Sequence, residues 1–170
     1  MENEFLIPLN GLSAGKIDQN WQVGIDFFRR FENSQVIDAD VLASVKLEKI
    51  GPKIGVELLL DGTLTLECDR CLEDLIMPIN ESVTLTVMFE ELDEDNDDED
   101  IICIEKGSTD LDLSQVIYDY SCLALPIQRF HREGECNLKV VEILEEGITI
   151  DSEEEEKNNP FSKLKEMFEN

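Results

Sequence analysis

Four residues in two close pairs are the part of this chain best suited to chemistry. Cys68 and Cys71 lie in the run Cys-Asp-Arg-Cys, and His131 and Cys136 in the run His-Arg-Glu-Gly-Glu-Cys. The first pair has C-x-x-C spacing; the second is an H-x4-C pair built on the only histidine of the chain. Zinc takes four thiolate or imidazole ligands at the corners of a tetrahedron, and a short loop can bring two of them onto one side of the ion. A fold that joins the pairs would complete such a site. Glu67-Cys68 ends an alternating segment and Gly134 lets the second loop turn tightly, so both pairs belong at strand or loop ends. The same side chains also suit packing and loop work as reduced thiols and imidazole, and spacing alone leaves both uses open.

The elements that must hold these loops read mainly as strands. Val41, Ala43, Val45 and Leu47 alternate with Leu42, Ser44, Lys46 and Glu48, a period of two that buries one face and wets the other. Gly51-Pro52 breaks the run as a hairpin does. Ile54, Val56, Leu58 and Leu60 resume it, Leu64, Leu66 and Cys68 keep its phase, and Asp61-Gly62 reads as a bulge or a second tight turn. Val83, Leu85, Val87 and Phe89 make another strand, while Phe5 to Leu9 and Ile101 to Ile104 suit short ones. Around Val23 to Phe31 two patterns compete. Trp21, Val23 and Ile25 alternate, whereas Ile25, Phe28 and Phe31 fit one helix face.

Leu113, Val116, Ile117, Tyr120, Leu123 and Ala124 recur at helical spacing and stop before Pro126, an apolar face suited to a core. Asn159-Pro160 offers an N-cap and a proline at the first helical position, and Phe161, Leu164 and Phe168 form a stripe opposite Lys163 and Lys165. Together these segments predict an α+β fold: an antiparallel β-sheet or partly open barrel with a few flanking helices, in a single domain over residues 1–150. The strands fall near 41–49, 53–68 and 82–90 and a helix near 113–124, followed by an acidic linker at 151–159 and a C-terminal helix at 160–168. So short a helix is not stable alone and must dock on this domain or on a partner.

Composition narrows the class. Of 170 residues, 42% are hydrophobic, which is ordinary for a globular chain and argues against wholesale disorder. No apolar run approaches the roughly 18 residues that a membrane-crossing helix needs. The start Met1-Glu-Asn-Glu lacks the basic region of a secretory signal. Five cysteines is an odd number, and Cys103 and Cys122 sit in apolar sequence, which fits a reducing cytoplasm better than a disulfide framework.

Charge is the second strong constraint. Forty Asp and Glu face fourteen Lys and Arg, a net −26. Phosphate binding depends on Lys and Arg displacing condensed counterions, so such a surface repels nucleic acid. Nine acids lie in Glu90 to Asp100 and five in Asp151 to Glu156, and blocks of like charge repel themselves into flexible arms. Outside these blocks 26 acids still face the 14 basic residues, so the body is acidic too. The surplus either serves solubility or captures a basic protein.

Enzyme signatures are absent: there is no G-x-G-x-x-G, P-loop or G-x-S-x-G elbow. Cys68 or Cys71 could pair with His131 as a nucleophile, but three cysteines with one histidine suit a closed structural site better than an activated thiolate. In order along the chain come Leu66-Glu67-Cys68-Asp69-Arg70-Cys71, an acidic loop, an amphipathic segment running into Ala124-Leu125-Pro126, His131 to Cys136, and Asn159-Pro160-Phe161-Ser162-Lys163-Leu164. This ordered set resembles the YceD family, the large ribosomal RNA subunit accumulation proteins of bacteria. The resemblance covers roughly residues 60–168, and the N-terminal third matches only in being strand-rich. It implies a cytoplasmic role in accumulation of large-subunit ribosomal RNA, from a gene that commonly neighbours that of a small zinc-ribbon ribosomal protein. The long acidic run at 90–100 looks like a lineage feature.

Two functions of different class follow. One is a non-catalytic ribosome-biogenesis factor that binds a basic ribosomal protein or a pre-ribosomal particle. The other is a metal-dependent or RNA-contacting enzyme acting on the ribosomal RNA precursor. An RNA-processing enzyme is expected to carry a basic track, and only Arg70, Arg129 and Arg132 lie near the Cys/His pairs. These could touch RNA or pair with nearby carboxylates. The expectation is therefore the binding factor, without membrane or DNA contact. Zinc at Cys68, Cys71, His131 and Cys136 is the candidate cofactor, beside the reading of these residues as packing groups, and Arg70, Arg129, Arg132, Phe161, Leu164 and Phe168 are the expected partner-facing residues.

Overall fold

The computed structural model describes residues 5–32, 34–51, 53–89, 101–105 and 107–147. In chain order these form β1 (Leu6–Pro8), a 3-10 helix (Leu9–Ala14), β2 (Lys16–Gly24), α1 (Ile25–Phe28), β3 (Asp38–Ile50), β4 (Lys53–Glu67) and β5 (Asp74–Met88). β6 (Ile101–Cys103), β7 (Asp110–Asp112), α2 (Ser114–Leu123) and α3 (Leu138–Gly147) complete them. The main sheet has the order β2-β3-β4-β5-β6, antiparallel from β2 to β5, with β6 joining β5 in parallel. β1 and β7 pair antiparallel in a second, small sheet. The main sheet stays open, and no barrel closes among the described residues. The fold is α+β in one domain, as the period-two segments require.

Alternation decides which face is covered. Ala43 lies beside Leu60, Val45 beside Leu58 and Leu47 beside Val56, and all six are buried. On β5, Val83 and Leu85 extend the same layer opposite Leu58 and Val56. Over this face pack Phe5, Ile7, Leu12, Phe27, Phe28, Leu111, Leu113 and Ile117. Phe5 contacts Trp21 and Phe27 at ring separations of 5.4 and 4.7 Å, and Phe31 stacks on Tyr118 at 4.0 Å. Of the patterns that compete near residue 25, the alternation holds through Trp21 and Val23 in β2, and a single helical turn follows in α1, which buries Phe27 and Phe28 and ends before Phe31.

Other expectations change. Asp61-Gly62 is neither bulge nor turn, because pairing runs unbroken through Leu42–Asp61, Val41–Gly62 and Asp40–Thr63. The glycine answers a close approach instead: a Cβ there would overlap the Asp40 carbonyl and Val41 Cα. β5 begins at Asp74, well before the expected 82–90 strand, with Leu75 and Ile79 holding the inward phase across Pro78. Proline is tolerated there because β6 pairs with Thr86 to Met88, and among the described residues no strand pairs with Pro78 on that side. On α2, Leu123 points outward and Ser121 takes the buried place, its hydroxyl donating to the Ile117 carbonyl at 2.6 Å. Cys103 is exposed. The acidic run 90–100, the linker 151–159 and the expected helix 160–168 with Phe161, Leu164 and Phe168 lie outside the described residues. No described helix is long and apolar enough to cross a membrane.

Replacing Gly62 tests the close strand approach. Gly62→Ala should destabilise the chain by about 2 kcal/mol or more, read as a lower urea midpoint at unchanged slope.

Candidate metal centre

Residues 68–73 connect β4 to β5 and carry the first cysteine pair. The inward phase that buries Leu64 and Leu66 takes Cys68 to the same face, where it is fully buried. The Cys68 N–H donates to the Glu73 carbonyl at 2.8 Å and the Leu72 N–H to the Cys68 carbonyl at 2.9 Å, closing a tight knuckle. Leu72 pays for this turn with φ 60, a left-handed conformation that costs a leucine about 1 kcal/mol or more.

Asp69 draws in the second pair. Its N–H donates to the Arg129 carbonyl at 2.7 Å, and the Arg129 N–H returns a bond to Asp69 Oδ2 at 2.8 Å. The Arg129 guanidinium adds contacts to Asp69 Oδ1 at 3.4 Å and Gln35 Oε1 at 2.7 Å. Gly134, at φ 85, then turns the chain, and the Glu135 N–H donates to the Arg132 carbonyl at 3.0 Å. Asn137 starts α3: its Oδ1 accepts from the Lys139 N–H at 3.1 Å, while its Nδ2 donates to Glu73 Oε1 at 2.7 Å. One asparagine therefore caps the helix and ties it to the knuckle.

These two clamps bring the four expected residues together. One ligand atom from each of Cys68, Cys71, His131 and Cys136 lies within 4.8 Å of all the others. Cys68 Sγ is 3.9 Å from Cys136 Sγ, and His131 Nδ1 is 3.4 Å from Cys71 Sγ and 3.9 Å from Cys136 Sγ. Tetrahedral zinc, with bonds of about 2.3 Å to sulfur and 2.0–2.1 Å to nitrogen, would set such edges at about 3.6–3.8 Å. The cluster is thus already close to the size of a metal cage and could hold an ion such as zinc. His131 Nε2 lies 3.1 Å from the Asp74 carbonyl, to which it donates when Nδ1 is the unprotonated nitrogen. That bond turns the Nδ1 lone pair toward the sulfurs.

The electrostatics favour sulfur anions. Burial raises the Cys68 thiol, yet the backbone N–H groups of Cys71, Arg70 and His131 outweigh it, and the pKa falls from 9.0 to about 6. His131 is raised, first by the Cys68 sulfur and then by the Asp74 carbonyl, against the opposite effect of burial. Cys136 is pushed up by burial and by its neighbours Cys68 and Cys71. Without an ion the cluster therefore tends to a thiolate beside an imidazolium. A bound divalent cation would take thiolates and neutral imidazole instead.

The three arginines fall into different settings. Arg129 serves the clamp, Arg70 sits over the Phe130 ring at 5.0 Å, and Arg132 is exposed. Asp69, Glu73, Asp74 and Asn137 support the cluster although spacing does not single them out. Asn137 carried a usable signal, as an N-cap type directly before Leu138, Val141 and Leu144 at helical spacing.

The pH dependence follows from the lowered thiol. In the metal-free chain Cys68 contributes stability that is fully present above the ordinary thiol value of 9.0 and is lost as pH falls toward about 6. Thiolate ultraviolet absorbance of the metal-free protein should show an inflexion near pH 6 that disappears in Cys68→Ser.

Compared with known proteins, the chain finds no match among curated proteins or solved structures. The family model for the large ribosomal RNA subunit accumulation protein YceD matches residues 56–168, most of the 170-residue chain and all four cluster residues. The protein belongs to the YceD family.

Proposed function

We propose that this chain is a non-catalytic cytoplasmic factor in accumulation of the large ribosomal RNA subunit, and that it acts by binding a basic ribosomal protein or a pre-ribosomal particle. The observation that carries this reading is charge. A family tied to ribosomal RNA is represented here by a chain of −26, whose carboxylates repel phosphate and attract Lys and Arg. A basic ribosomal protein would be screened by such a surface until ribosomal RNA, with its denser charge, displaces the factor. Arg70 on the knuckle, Arg132 in the loop after His131, and Phe161, Leu164 and Phe168 near the C-terminus are the partner-facing residues of this reading.

In the same reading Cys68, Cys71, His131 and Cys136 hold zinc. Three thiols and an imidazole are the soft and borderline donors that zinc selects. Four protein ligands fill a tetrahedron, which suits a structural ion that fastens α3 to the knuckle rather than one that keeps a place for water.

Two measurements test these statements separately. Protein purified under reducing conditions without chelator should carry about one zinc per chain, and Cys136→Ser should lose it; less than about a tenth of an equivalent overturns the zinc reading. Titration calorimetry with a basic ribosomal protein should show binding that weakens steeply as added salt brings the Debye length below about 10 Å. Tight binding of a large-subunit RNA fragment, with none of the protein, overturns the partner reading.

A further inference from the structure

A groove of about 410 Å³ opens beside the knuckle, between the loop of Cys68 to Leu72 and the chain at 34–37. Val36, Ile37, Leu66 and Leu72 give it apolar walls, and Glu67 and Asp69 give it acidic ones. A second hollow of about 370 Å³ shares Gln35, Val36, Leu66 and Arg129 with it and reaches Ile127 beyond α2. Among the lining residues the cation is Arg129, held by Asp69 and Gln35, while Arg70 on the same loop sits over the Phe130 ring.

Two details indicate what the groove receives. Leu72 combines a left-handed backbone, where glycine would be unstrained, with a side chain 68% exposed, so its apolar group does little for the folded chain alone. Ile37, on the other wall, is 40% exposed. Glu67 lies directly across the ladder from Asp74, and like charges in that relation repel. Among the described residues no ion pair offsets either carboxylate.

We infer that this groove docks an extended, positively charged protein segment. A Lys or Arg of the partner settles against Glu67 and Asp74, and a neighbouring apolar side chain packs between Leu72 and Ile37. The inference rests on the basic partner proposed above and gives that partner its place on the surface. Charge complementarity decides the class, because an acidic peptide or a nucleic acid would add to the existing repulsion.

The test uses the zinc-loaded full chain and three labelled probes: a short peptide of alternating lysine and leucine, a lysine–serine peptide of equal charge, and a single-stranded RNA of similar length. The lysine–leucine peptide should bind more tightly than the lysine–serine one. Leu72→Gly should weaken the former by about tenfold or more and leave the latter unchanged. Its zinc content should not fall, and its melting temperature should hold or rise, since glycine relieves the turn. Glu67→Gln should weaken both peptides and reduce their salt dependence, whereas Leu59→Ser, on the open face of the sheet, should change neither. Wild-type affinity in Leu72→Gly overturns the groove while leaving the basic-partner reading intact, provided both peptides still bind in a salt-sensitive way. Binding of neither peptide, or preference for RNA, overturns both.

Discussion

Fourteen consecutive residue pairs join β4 to β5, and this ladder decides whether the cysteine cluster can exist. Side chains alternate strictly along a strand, so a slip of one residue would send Leu64, Leu66 and Cys68 together to the wet face. The last pair, Glu67 with Asp74, also fixes the length of the knuckle. The carbonyl of Asp74 then becomes the partner that orients His131. A hydrophobic pattern spread over the sheet thus sets the position of a histidine that lies far along the chain. Gly62 protects the same register from the other side, by letting β3 come close in mid-strand.

What the sequence makes legible follows from how each feature is encoded. Strands β3 and β4 can be read because alternation is a property of neighbouring residues. The first half of β5 is harder, since Pro78 and Glu81 interrupt a phase that Leu75 and Ile79 keep. Asp61-Gly62 misleads because a dipeptide common in turns serves here for a close backbone contact. α3 escapes notice for a different reason. Leu138, Val141 and Leu144 keep helical spacing after Asn137, but Val140 and Ile143 fall off that stripe, and the side that packs on the cluster is that of Val140 and Val141 while Leu138, Ile143 and Leu144 stay exposed. The ligand types and spacings of the cluster are plain in the sequence. Their convergence is not, because it depends on backbone bonds between Asp69 and Arg129 that leave no periodic trace.

The described residues form two cores of unlike character. The large one lies on the covered face of the sheet; the small one gathers Cys68, Cys71, Leu75 and Cys136 with Met77, Val140 and Val141. A small core of sulfur and a few aliphatic groups offers modest apolar stabilisation, so the order of residues 129–147 leans on hydrogen bonds at Asp69, Glu73 and Asp74.

That division has a thermodynamic consequence. A ligand held by the small core adds RT ln(1 + [L]/Kd) to the stability of any state that keeps the cluster formed. The sheet, with its own apolar layer, can stay folded while this corner opens. The two regions then obey different variables, temperature and denaturant for the sheet, the chemical potential of the bound ion for the corner. With zinc as that ion, residues 129–147 would be a gauge of free metal, their order rising and falling while the sheet beneath them stays the same.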